Sequence, residues 1–255
     1  MNKIFFDIGN SFIKWATVID GYYDYYEPIK MDSLLKNGIE ILDLKVNFNE
    51  VYFSSVAHAI YIDEFKSLIQ QNLKVIPLQL TAQKSCCGLE SGYKDFSKLG
   101  DDRWLAMLGA YEIYQQPVIV IDAGTALTID AIVDGKHQGG FIVPGLYTMR
   151  QSLSLNTADL HEVHFSDFRS PDEVRNQVLL ANDTASAILG GTLYMAAAYI
   201  NQVISDLNRQ LETQFRIIVT GGEASQIKNL IDVDYEWIPD LVLQGMVFVE
   251  ESVKK

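Results

Sequence analysis

The residues of this chain with the plainest chemical purpose are acids at the ends of apolar runs. Ile4-Phe5-Phe6-Asp7-Ile8-Gly9-Asn10-Ser11 recurs in the second half of the chain as Ile119-Val120-Ile121-Asp122-Ala123-Gly124-Thr125-Ala126. Each copy ends a strand-like run in a carboxylate, a glycine free in φ and a small amide or hydroxyl residue. That combination can hold a metal ion and aim backbone N–H groups at a phosphate chain. A second acidic segment is Gly100-Asp101-Asp102-Arg103. Asp102 can take a proton from an alcohol, while Arg103 favours the ionised acid and offers a planar fork to a carboxylate. Taken singly, Asp7 and Asp122 read as turn residues, and Asp101 and Asp102 as acids at a helix start. The repetition argues for a ligand, because a turn by itself gives no reason for the flanking residues to match.

The elements that position these groups are also written twice. After each Asp-x-Gly a second strand runs from Phe12 to Ile19 or from Leu127 to Val133, closing near Asp20-Gly21 or Asp134-Gly135, both turn signals. Hydrophobic patterning predicts strands over 3–8, 11–19, 22–29 and 50–55, a helix near 61–72 and a strand over 73–78. A loop follows over 82–100, then a helix over 101–115 with Trp104, Leu105, Leu108 and Tyr111 on one face. The second half reads as the hairpin 117–133, a strand over 137–143, and helices over 145–156, 171–181 and 183–211. It ends with a strand over 215–220 leading into Thr220-Gly221-Gly222, a helix near 223–231, a short strand and a helix over 240–252. Gly190, Gly191 and Ala196 to Ala198 make the long helix slim enough for close approach. The alternation is α/β, and the repeat spacing divides the chain into domains 1–115 and 116–255.

Composition narrows the partners. The 255 residues are 48% hydrophobic and 11% aromatic with only 6 prolines, a globular composition. A formal net charge of −13 supplies no basic stripe for nucleic acid, although local N–H groups and a divalent ion still allow a nucleotide to bind. Cys86 and Cys87 are adjacent, an uncommon place for a structural disulfide, which points to a reducing compartment. The first residues lack the order of a signal peptide, and no apolar run nears the ~20 residues that span a bilayer, so a cytoplasmic protein is expected. His161 and His164 lack the spacing of a zinc protease and read as surface residues. Neither a Walker P-loop, a dinucleotide-binding Gly-x-Gly-x-x-Gly nor a Gly-x-Ser-x-Gly elbow occurs.

Two Asp-x-Gly hairpins followed by Thr220-Gly221-Gly222 resemble the actin, sugar-kinase and Hsp70-like ATPase superfamily. The segments 7–14, 100–103, 122–130, 139–145 and 183–188, in that order, resemble the type III pantothenate kinases over essentially the whole chain. The resemblance implies two duplicated ribonuclease-H-like, actin-like domains, with mixed sheets flanked by helices and nucleotide in the cleft between them. It implies ATP-dependent phosphorylation of pantothenate, the first step of coenzyme A biosynthesis, by a homodimer with a shared active site.

Residue by residue, the resemblance makes Asp7, Ile8, Gly9, Asn10, Ser11, Phe12, Ile13 and Lys14 the first phosphate loop for ATP with Mg²⁺. Thr125 becomes a second phosphate contact and Asp122 the ligand of a monovalent cation, K⁺ or NH₄⁺. Tyr93, Gly100, Asp101, Asp102 and Arg103 become the pantothenate segment, with Asp102 as general base. Thr184 becomes a substrate contact donated across the dimer. Two features depart from the family's pattern. Asp101 stands where an apolar residue is usual, and Ser11 replaces a Thr while keeping its hydroxyl. The rival readings are a kinase for another small carboxylate-bearing alcohol, a nucleotide-binding accessory protein of the same family, and an actin-like filament protein. The intact acids weigh against the accessory reading.

Overall fold

A computed structural model describes residues 1–9, 12–156 and 180–253. Among them the chain forms two compact units, one of 1–115, 135–137 and 240–255, the other of 116–134 and 138–239.

The first unit opens with β1 (Lys3–Ile8), β2 (Phe12–Ile19) and β3 (Tyr22–Lys30), then α1 (Met31–Asn37), β4 (Glu50–Ser55), α2 (Ala59–Leu73) and β5 (Leu78–Gln79). Their sheet has the order β3-β2-β1-β4-β5. β1, β2 and β3 run antiparallel in sequence, while β4 lies parallel to β1 and β5 parallel to β4. Strand alternation places Ile4, Phe6 and Ile8 in a core with Met31, Leu34, Phe53, Phe65 and Ile69, beneath α1 and α2. Lys3, Phe5 and Asp7 therefore face the opposite side. The unit continues with a hairpin of β6 (Ser85–Cys86) and β7 (Leu89–Glu90), then α3 (Asp101–Tyr114).

The second unit repeats the plan with β8 (Val118–Ala123), β9 (Ala126–Val133) and β10 (Lys136–Pro144). Then come α4 (Leu146–Asn156), α5 (Thr184–Gln210), β11 (Arg216–Thr220), α6 (Ala224–Ile227) and β12 (Tyr235–Trp237). Its strands lie in the order β12-β11-β8-β9-β10, with β8 antiparallel to β9 and β11 parallel to both β8 and β12. These five strands of a seven-stranded sheet thus repeat the order of the first sheet. Ile119, Ile121 and Ala123 face a core with Leu189, Leu193, Ala196, Ile200 and Ile204 of α5, and Asp122 takes the opposite face, as Asp7 does. The turns after β2 and β9 also match. Asp20 and Gly21 have φ of 51° and 85°, Asp134 and Gly135 49° and 68°, the paired positive values of a two-residue hairpin turn.

The last helix, α7 (Leu241–Val253), returns to the first unit and crosses α3. A Cβ on Gly245 would lie 1.9 Å from the Leu105 carbonyl oxygen, and one on Gly109 2.6 Å from that of Leu241, so backbone meets backbone at the crossing. On the Asp7 face Lys3 pairs with Glu250 of α7, and the Tyr23 hydroxyl donates to Asp240 at 2.7 Å.

Three expectations are corrected. No strand covers 73–78: α2 runs through Leu73, Lys74 turns into the left-handed region at φ 59°, and Leu73 and Val75 dock on the core. Their apolar character serves that docking, and only Leu78 and Gln79 pair with β4. Two short helical segments, α1 and a 3₁₀ turn at Ile39–Leu42, occupy a stretch in which no helix was expected; they bury Met31, Leu34, Ile39 and Leu42. Finally, α5 is long and apolar enough in length and composition to cross a membrane, because its Gly- and Ala-rich middle contains few charges. It packs in the core of the second unit through Leu189, Leu193, Ala196, Ile200 and Ile204. His161, His164 and nearly all of the helix expected over 171–181 lie outside the described residues.

Candidate active site

Asp7 occupies the next-to-last position of β1, opposite Lys14 on β2 and Ser54 on β4. The turn beyond it closes with the Gly9 N–H donating to the Phe12 carbonyl at 3.0 Å. In the second copy the Gly124 N–H donates to the Ala126 carbonyl, also at 3.0 Å, so the first loop carries one residue more. Asn10 and Ser11 lie outside the described residues. Ile8 and Ile13 are core residues flanking the loop, and Phe12 is exposed.

Around Asp122 the backbone is crowded in a way only glycine permits. Gly221, at φ +97°, brings its Cα so close that a Cβ would sit 2.4 Å from Asp122 Oδ1 and 2.3 Å from the Ala123 carbonyl oxygen. A Cβ on Gly145 would lie 1.9 Å from the Gly124 carbonyl oxygen. The Thr125 carbonyl accepts from the Gly145 N–H at 3.0 Å and from the Thr148 hydroxyl at 2.7 Å, which holds the Thr125 turn against the start of α4.

A residue that sequence reasoning missed completes this cradle. Glu223, directly after the Gly-Gly pair, accepts from the N–H groups of Leu146 and Tyr147 at 2.8 and 2.9 Å, capping α4. Its own N–H donates to the Ala123 carbonyl. Burial raises the Glu223 pKa, and the two backbone bonds and the Arg150 charge oppose that rise. The only signal in the sequence is its place beside Thr220-Gly221-Gly222.

The segment 100–103 lies in the first unit. Gly100 precedes α3, and a Cβ on it would meet Asp102 Oδ1 at 2.7 Å; that oxygen accepts from the Arg103 N–H at 2.8 Å. Asp101 does not face open solvent. Its Oδ1 accepts from the Ala82 N–H at 2.8 Å, and burial raises its pKa against the pull of that bond and one from Gln79. Arg103 is buried, and its Nη1 donates to the Tyr93 hydroxyl at 2.8 Å with the guanidinium 5.7 Å over the ring. The Tyr93 ring stacks in turn on buried His137, with centroids 5.8 Å apart and planes at 14°. Thr184 begins α5, exposed, just after the cap Asp183, whose side chain accepts from the Ser186 N–H.

No three His, Cys, Asp or Glu side chains gather among the described residues. Asp7 and Asp122 therefore offer single carboxylates beside turns rather than closed cages. That donor set fits ions that keep water and phosphate oxygens as their other ligands.

A twice-written sheet with an acid turn at the end of each first strand defines the actin-like ATPase fold. A Campylobacter jejuni protein described as a conserved Baf family transcriptional activator shares it at TM-score 0.59 and 21% identity, covering 99% of this chain and 100% of its own. The activator of 2-hydroxyisocaproyl-CoA dehydratase from Clostridium difficile, with bound ADPNP, shares it at TM-score 0.52 and 13% identity, covering 100% and 96%. The type III pantothenate kinase model matches residues 3–206. A type III pantothenate kinase of Hydrogenovibrio crunogenus is 42% identical over 252 residues, 98% of this chain and 99% of its own. Another, from Nitrosococcus oceani, is 32% identical over 98% of this chain and 94% of its own. The chain belongs to the type III pantothenate kinase family.

Proposed function

We propose that this protein transfers the γ-phosphoryl group of ATP to the primary hydroxyl of pantothenate, giving 4'-phosphopantothenate at the entry to coenzyme A biosynthesis. The carrying observation is that a chain matched by the family over residues 3–206 retains each of Asp7, Asp102, Arg103 and Asp122, with Arg103 already oriented by Tyr93.

Asp102 is the general base. It draws the proton from the hydroxyl as the oxygen attacks the γ-phosphorus and the bond to the bridging oxygen breaks, releasing ADP; the carboxylate is restored when the proton leaves to solvent. Arg103 and Tyr93 bind the carboxylate of pantothenate, the guanidinium through charge and the phenol through its remaining O–H. Gly100, having no side chain, leaves room beside the Asp102 carboxylate. The turns at 8–14 and at Thr125 hold phosphate oxygens through N–H and hydroxyl donors. Asp7 would hold Mg²⁺ and Asp122 a K⁺ or NH₄⁺ ion. Bound with the nucleotide, these ions neutralise charge on the phosphates. Thr184 contacts substrate from the second copy of a homodimer, and the enzyme works in the cytoplasm.

The test is phosphopantothenate formation by purified protein from Mg-ATP and pantothenate, with potassium or sodium as sole monovalent cation. Turnover with potassium and little with sodium is expected. No product in either salt overturns the reading.

A further inference from the structure

We infer that His137 is a positioning residue for the acid substrate, acting through the Tyr93 ring on Arg103; this rests on the pantothenate kinase reading above. The three side chains are linked in the first unit: the His137 and Tyr93 rings stack, and the Tyr93 hydroxyl accepts from Arg103. They differ in how firmly their backbones are held. Arg103 sits in the first turn of α3, whereas Tyr93 lies on a segment without regular structure, its N–H donating to Ser91 Oγ at 3.3 Å. A ring on such a segment loses conformational freedom each time it binds, unless something fixes it beforehand.

His137 is the fixed partner. It is 1% exposed and follows the Asp134-Gly135 turn, whose geometry is over-determined. Gly135 has φ +68°, and a Cβ there would meet the Gly88 carbonyl oxygen at 2.5 Å and the Tyr111 hydroxyl of α3 at 2.9 Å. The Glu90 N–H donates to the Gly135 carbonyl at 2.8 Å, and Lys136 pairs with Glu90 across β7 and β10. Strand, turn and helix therefore fix the backbone immediately before His137, whose buried imidazole stacks on the phenol ring. A phenol that accepts from Arg103 at 2.8 Å keeps its proton for an outside acceptor. Moving the ring thus displaces both donors that a carboxylate would meet. His137 touches no reacting atom, so its effect falls on affinity for the acid and leaves the chemical step alone.

The experiment compares wild type, His137→Ala and His137→Phe in kcat and KM for pantothenate, for its neutral primary amide and for ATP. His137→Ala is expected to raise KM for pantothenate about three- to tenfold, the factor carried by one aromatic stack. Turnover, KM for ATP and KM for the amide should stay within about twofold of wild type. His137→Phe keeps a planar ring and should restore the pantothenate KM. An unchanged KM in His137→Ala, equal losses for acid and amide, or a Phe variant as impaired as Ala overturns the proposal. Should His137→Ala fail to fold by circular dichroism, the wild-type His137 NMR resonance, assigned by its loss in His137→Phe, decides. It should shift on saturation with pantothenate and not with the amide, and absence of that difference overturns the proposal. Wild type without pantothenate turnover overturns instead the reading on which the proposal rests.

Discussion

Asp102 and Asp101 are neighbours with different tasks. Asp102 stands against Gly100 at the head of α3, while the Asp101 carboxylate is committed to the Ala82 N–H. Asp102→Asn removes the proposed proton acceptor and keeps the shape, so turnover should fall by about 10²-fold or more with pantothenate binding retained. Steady-state rates and calorimetric titration check this, and turnover like wild type would exclude Asp102 as base. For Asp101, burial is the leading cause of its raised pKa. A carboxyl whose folded pKa exceeds its unfolded value binds its proton more tightly in the folded state. Its contribution to stability therefore declines as pH rises from the unfolded value of about 3.9 through the raised one. Asp101→Asn abolishes that titration and keeps an oxygen for Ala82. The stability of the variant relative to wild type should grow as pH rises across this window and then level off. Urea denaturation at a series of pH values measures it, and a difference independent of pH would contradict the burial argument.

At the scale of elements, glycines decide where backbones meet. The Gly245 and Gly109 contacts leave no room for a methyl group between α3 and α7. Gly245→Ala is expected to cost about 3 kcal/mol through forced separation of the helices. Chemical denaturation gives the figure, and a loss below about 1 kcal/mol would show that the crossing is looser than its geometry implies. The matching hairpins were legible in advance because Asp-Gly turns and alternating strands depend on neighbouring residues alone. The strand expected at 73–78 failed for the complementary reason. Leu73 and Val75 are apolar because they dock on a core made by distant residues, and a short window does not distinguish docking from pairing. The seven-residue helix α1 is too brief to display a period.

For the whole molecule, α5 combines a buried stripe with exposed apolar residues, among them Tyr194 at 66% and Met195 at 53%. Such residues on a 27-residue helix favour association with a second copy. Light scattering at micromolar concentration should give twice the 28.7 kDa chain mass, and Tyr194→Lys should shift it toward the single-chain value. A single-chain mass for wild type would remove Thr184 from the substrate site, because the proposed contact comes from the other copy.

The sequence by itself determined the repeated acid turns, the α/β alternation and the family, since each is carried by residue type at short spacing. It also placed Asp7, Asp102, Arg103 and Asp122 at element ends. Only the tertiary structure decided that Asp101 secures Ala82, that Glu223 caps α4, and that Arg103 donates to Tyr93, whose ring stacks on His137. These contacts join residues far apart along the chain. They depend on strand register and on how closely backbones approach at glycines, and no local pattern carries that information.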